Sequence, residues 1–206
     1  MKNEYFSLAE LEAELSRSRR FLDSFDAAML FKVDSLKRLT GRLPRPGEIF
    51  FIETTKSFTA FTFIVHVLKA VGHIRHLYIA TYSTNERIIN ALLRYKAKGQ
   101  LDTIHLHISE TLRFRMPEIY SRLLELRDKG EMELTFAWTH KKVTCMDTPQ
   151  GTFVVEGSGN YGENALEEQY VFIQSEKVYE FRSGKIPRKQ SAGQPNPGMG
   201  EAHRRG

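Results

Sequence analysis

Apolar residues recur at Leu8, Leu11 and Leu15, and again at Leu22, Phe25, Met29, Val33 and Leu36. Steps of three and four predict one or two helices over about residues 8–40. Ser7 followed by Glu10 is a capping-box start, and Gly41 is the stop. Leu43-Pro44-Arg45-Pro46-Gly47 cannot continue a helix. After it the period switches between two and 3.6. Runs rich in β-formers fall at 49–54, 76–83, 102–109 and 131–140. Helical runs fall between them at 58–71, 86–98 and 117–129, the last with Pro117 near its start and Gly130 at its end.

From Lys141 onward the pattern changes to hairpins. Lys142–Asp147 and Thr152–Gly159 flank a turn at Thr148-Pro149-Gln150-Gly151. A short helical stretch is expected at 163–168, a last strand at 170–175, and a closing helix opening at 178–181. The expected class is α/β, with a mostly parallel or mixed β-sheet flanked by helices on both faces and an N-terminal helical arm. The division is an arm over 1–46, a body over 47–181 and a basic, disordered tail over 182–206. The arm reads as a helical layer packed on the body, with a dimer or partner-binding arm as the alternative.

Composition narrows the picture a little. With 206 residues, 41% hydrophobic and 27% charged, the chain suits one ordinary globular domain. The longest apolar stretch, Phe58–Gly72, is broken by His66 and Lys69, so no membrane partner is expected. The acidic start and the single Cys145 fit a cytoplasmic protein without disulfides. The net charge of +5 looks like a nucleic-acid signal, but it is local. Six basic residues against Glu201 lie in the tail, whereas Glu48–Phe181 holds 15 basic and 17 acidic residues.

Candidate chemistry is sparse until the hairpin region. His105 and His107 share a strand face and His73 lies near His76, but neither pair has ligand-spaced partners, so no metal and no cofactor are expected. His66 reads as a core histidine with its hydrogen bonds satisfied. Cys145 has the opposite parity to His140 and Lys142 and reads as a buried small residue. Phosphate-binding glycine loops are missing. If residues 140–145 form a strand, His140 and Lys142 stand side by side. If 152–159 is the return strand, Ser158 and Asn160 come up beside them, a set of groups suited to a phosphate ester.

His140-x-Lys142-x4-Asp147 followed by Gly157-Ser158-x-Asn160 resembles the HKD motif of the phospholipase D superfamily. The resemblance covers about 47–181, and the alternating βα body fits half of such a fold. Two departures stand out. Nine residues separate Asp147 from Gly157 where the family usually has about six, and Glu168-Gln169 replaces a common Asn-x-Glu. The resemblance implies a phosphodiesterase that needs no metal, with His140 forming a phosphohistidine. Lys142, Ser158 and Asn160 would hold phosphate oxygens, Asp147 would orient the site, and Glu168 would fix the tautomer of His140. A single motif implies a homodimer with one active site shared by two chains. A nuclease acting on DNA or RNA is the leading expectation. A phospholipid hydrolase or transferase, or a weakly catalytic nucleic-acid- or partner-binding module, are the alternatives.

Overall fold

The computed structural model describes residues 24–55, 59–161 and 167–184. The described part of the arm is one helix, α1 (Ser24–Thr40), ended where Gly41 takes a φ of 70° and donates to Lys37 O at 2.7 Å. The capping box at Ser7–Glu10 and the tail from 185 onward lie outside the described residues.

Seven strands form one sheet: β1 (Ile49–Thr55), β2 (Ile74–Thr81), β3 (Leu101–Ser109), β4 (Glu133–Ala137), β5 (Val143–Thr148), β6 (Gly151–Gly157) and β7 (Glu167–Gln174). Their order is β1-β7-β6-β5-β2-β3-β4. Only β2–β3 and β3–β4 pair in parallel; the other four pairings are antiparallel. The sheet is therefore mixed, with less parallel pairing than the βα alternation implies. β1 does not pair with β2; it crosses to the far edge and pairs with β7, leaving room for the β5–β6 hairpin and β7 in between. The hairpin turns at Pro149–Gln150, with the Thr148 hydroxyl donating to Gly151 O at 2.6 Å. Glu167 and Glu168 belong to β7 rather than to a helix.

Four helices build the core on one face with α1: α2 (Ala60–Val71), α3 (Glu86–Ala97), α4 (Leu112–Arg115) and α5 (Pro117–Asp128). α2 is buried without a break from Ala60 to Leu68. A helix apolar all round must be enclosed, and it is, between α1 and the sheet residues Phe153, Tyr170 and Phe172. Asn85 caps α3 by accepting from Ile88 N at 3.0 Å. The other face is covered among the described residues by α6 (Glu176–Ser183), whose Val178 and Tyr179 pack on Tyr78, Ala80, Val143, Cys145, Val154 and Ile173. α6 carries the chain past the expected tail boundary, and Arg182 is ion-paired with Glu156. No helix among the described residues is long and apolar enough to cross a membrane.

Candidate active site

The carboxyl ends of β2, β3, β4 and β6 meet the amino ends of β5 and β7 at one end of the sheet. Open α/β sheets bind ligands beyond the carboxyl ends of their strands. His140, Lys142, Ser158, Asn160 and Glu168 lie at this end. His140 and Lys142 are not on a strand: β5 starts at Val143, and both belong to the β4–β5 connection. They meet nevertheless. Lys142 Nζ lies 3.0 Å from His140 Nδ1 and 3.3 Å from Nε2, and donates to His140 O at 3.1 Å. Gly157 N donates to Lys142 O at 3.2 Å, so the β6 ladder holds Lys142 by its backbone. His140 is exposed and Lys142 half-buried. Burial pulls the Lys142 ammonium below the ordinary lysine range, opposed by the negative charges of Glu168 and of ionised Tyr82.

Ser158 is fastened to β7. Its N–H donates to Gln169 O at 3.1 Å, its Oγ accepts from Gln169 N at 3.1 Å, and its hydroxyl donates to the Glu168 carboxylate. The expected Glu168–His140 bond is replaced by this one; the imidazole Nδ1 faces Lys142 instead. Gly157 has a steric reason. A Cβ there would stand 2.4 Å from Gln169 O and 2.4 Å from the Tyr170 ring. Asn160 Oδ1 is buried and finds no hydrogen-bond partner among the described residues. A buried acceptor without a donor is costly.

Asp147 stands elsewhere. It pairs with His76 in the β2–β5 register and takes a 2.5 Å hydrogen bond from Arg75. Along β5 it lies five residue steps from Lys142, roughly 16 Å at about 3.3 Å per step. The structure thus corrects the expectation that Asp147 orients the site; it ties β2 to β5 at the opposite end.

Two tyrosines escaped the sequence reading. Tyr82 follows β2, and its ring centre lies 5.1 Å from that of His140. The Arg115 guanidinium sits over the Tyr82 ring at 5.1 Å. Hydrogen bonding from Thr111 leads in lowering the Tyr82 phenol, with Arg115 and Lys142 adding to it. Its place just past a strand's carboxyl end was the available signal. Tyr161 is fully buried with its hydroxyl against Thr144 Oγ1, and burial pushes the phenol up. It pins the Gly157–Asn160 segment to β5. A cavity of about 220 Å³ opens beside Lys142, lined by Ala80, Lys141, Val143, Glu156, Gly157 and Arg182.

Two other histidines are held by partners within the fold. His73 contacts Asp102 at 3.0 Å, and His105 pairs with Glu133 at 2.9 Å while stacking on Tyr78. His66 is buried, but its Nε2 has no partner among the described residues, contrary to the expectation of a satisfied core histidine. No group of three metal-ligating side chains comes together among the described residues. Cys145 is buried, and burial pushes its thiol up to about 12.

No protein-family model and no curated protein matches the chain. Solved structures do. The fold is similar to that of polyphosphate kinase from Porphyromonas gingivalis, at 14% identity over 70% of this chain and a TM-score of 0.51. The match spans 27% of the kinase, about a quarter of its length. Looser likenesses are to TrmBL2, an archaeal chromatin protein (12% identity, 86% of this chain, 64% of that one, TM-score 0.44), and to yeast tyrosyl-DNA phosphodiesterase (12%, 60%, 31%, 0.38). At these identities the likeness is one of fold alone. The seven-stranded mixed sheet flanked by helices is compatible with a phospholipase D-like half fold.

Proposed function

We propose that the chain is a phosphodiesterase, a nuclease cleaving DNA or RNA through a phosphohistidine at a site completed by a second copy of itself. The observation that carries this is the contact of Lys142 with His140 beside the Ser158–Asn160 segment, at the carboxyl end of the sheet.

The chemistry follows from the groups present. A phosphodiester needs a nucleophile in line with the leaving oxygen, a proton for that oxygen, and positive groups on the non-bridging oxygens. His140 attacks phosphorus; the new P–N bond forms as the P–O bond to the leaving group breaks. An acid protonates the departing oxygen and then, as a base, takes a proton from water that displaces histidine from phosphorus. Lys142 and Arg115 supply positive charge, the role a metal ion fills elsewhere. Among the described residues of one chain, His140 is the only imidazole at this end that is exposed. His105 and His107 are buried in the sheet, His73 and His76 start β2 at the other end, and His66 lies within α2. In this reading the acid is the His140 of a partner chain across a two-fold axis, as the single motif of the resemblance implies.

The test is hydrolysis of a bis-aryl phosphodiester, DNA and RNA in EDTA. Cleavage that falls about a thousandfold or more in His140→Ala is expected. Binding of nucleic acid without cleavage of any substrate overturns the reading. A mass-determined monomer at micromolar concentration overturns the shared site.

A further inference from the structure

Two of the most exposed large apolar side chains flank this site. Phe114 is 74% and Trp138 80% exposed. Both are at the same sheet end as His140. Phe114 lies in α4, just past β3; Trp138 directly follows β4, two residues before His140. Their segments are joined at the β3–β4 pair, where Ser109 is in register with Ala137 and Glu110 N donates to Ala137 O at 2.8 Å. Cations lie beside Phe114 in space and close after Trp138 in sequence. Arg113 lies 5.8 Å from the Phe114 ring centre, Arg115 lies over the Tyr82 ring that neighbours His140, and Lys141 and Lys142 come three and four residues after Trp138. Exposing large rings costs apolar burial, as it does at Phe51, which is 81% exposed; what sets Phe114 and Trp138 apart is their place beside His140.

We propose that Phe114 and Trp138 are a stacking platform for the unpaired bases of a single-stranded nucleic acid, whose phosphate is thereby set against His140 and Lys142. This rests on the reading that the His140 cluster takes a phosphodiester. Aromatic rings interleaved with cations grip single strands by base stacking plus phosphate contacts. A duplex hides the faces of its bases and is held instead through many phosphates. The body has no surplus for that, since Glu48–Phe181 carries 15 basic and 17 acidic residues. A few local cations and two exposed rings match one strand.

Trp138 is the only tryptophan in the chain, so its emission reports on this platform alone. The full chain carrying His140→Ala, which does not consume the strand, is titrated with a thymidine oligonucleotide, its RNA counterpart, a duplex, an abasic sugar-phosphate chain of equal length, and phosphatidylserine vesicles. Quenching and tight binding by single-stranded DNA, RNA or both is expected, with weak binding of duplex and abasic chain. Followed by the anisotropy of a labelled oligonucleotide, since the Trp138 variants carry no tryptophan, Phe114→Ala and Trp138→Ala should each weaken single-strand binding by roughly fivefold to a hundredfold, and Trp138→Phe should restore it. Equal binding of the abasic chain, preference for duplex, or a blue shift with vesicles and none of the quenching overturns the proposal. The nuclease reading fails separately, if the wild-type chain leaves the bis-aryl diester, DNA and RNA all uncleaved; the quenching of Trp138 is judged whichever way that assay falls.

Discussion

The Ser158 hydroxyl donates to the Glu168 carboxylate across the β6–β7 pair, and the same oxygen accepts from Gln169 N at 3.1 Å. A hydroxyl has one proton, and the Ser158 N–H is already given to Gln169 O, so Ser158 bound in this way offers a phosphate no donor unless the bond to Glu168 is exchanged. Glu168 also raises the pKa of Lys142 against the effect of burial. Glu168→Gln removes that charge, so Lys142 gives up its proton at lower pH. If the ammonium is what holds the phosphoryl oxygens, the alkaline limb of the rate profile moves to lower pH in the variant. The pH dependence of kcat/KM checks this; an unmoved limb separates Glu168 from the work of Lys142.

Asp147 belongs to the same motif as His140 and Lys142 but does different work. Its side chain is 17% exposed and bound to Arg75 at the other end of β5. Asp147→Asn is expected to keep kcat/KM on a small diester within about threefold and to cost about 1 kcal/mol of stability. Denaturant titration and steady-state assay on one preparation check both. A hundredfold loss of rate with unchanged stability would show that Asp147 reaches the site.

Gly157 is fixed by space rather than by turn geometry. An added methyl group would meet a backbone carbonyl at 2.4 Å, and a carbonyl held in a ladder does not move aside. Gly157→Ala should cost about 1–3 kcal/mol and displace Ser158, lowering both Tm and rate. Gly130→Ala makes a useful contrast. It has nothing within 4 Å, and its cost comes from its φ of 71° alone.

His66 makes the core acid-sensitive. Burial, with Lys37 and Lys69 adding to it, lowers this imidazole to about 4 from an unfolded value of 6.5. The unfolded chain therefore binds more protons than the folded one between these values. Stability is intact above pH 6.5 and falls as pH drops toward 4, by roughly 3 kcal/mol in total at about 1.36 kcal/mol per unit. His66→Leu should flatten this part of the acid limb, measured as Tm from pH 7 to 4.

The sequence made much of this legible because strands and helices here follow their own periodicities. The strand β3 was readable from Ile104, Leu106 and Ile108 alternating with His105 and His107. The contact of His140 with Lys142 was readable from their spacing, though not its geometry. The pair meets in a loop because β4 ends at Ala137 and five residues must turn the chain into β5. What stayed hidden was long-range. Nothing local places β1 beside β7, turns Glu168 toward Ser158, or brings Tyr82 from β2 and Tyr161 from beyond β6 to the same end. Those contacts arise from strand order, and strand order depends on which hairpin fills the gap between β1 and β2.

The buried thiol has a practical consequence. Cys145 is the only cysteine, and it is enclosed and reluctant to ionise, so it will not compete for thiol reagents under mild conditions. A cysteine placed at Gln150, exposed in the β5–β6 turn and far from His140, becomes a unique attachment point. A spin label there gives each chain one clock hand. If two copies pair as proposed, the distance between two labels in solution reads how they are arranged, without touching any group at the His140 end.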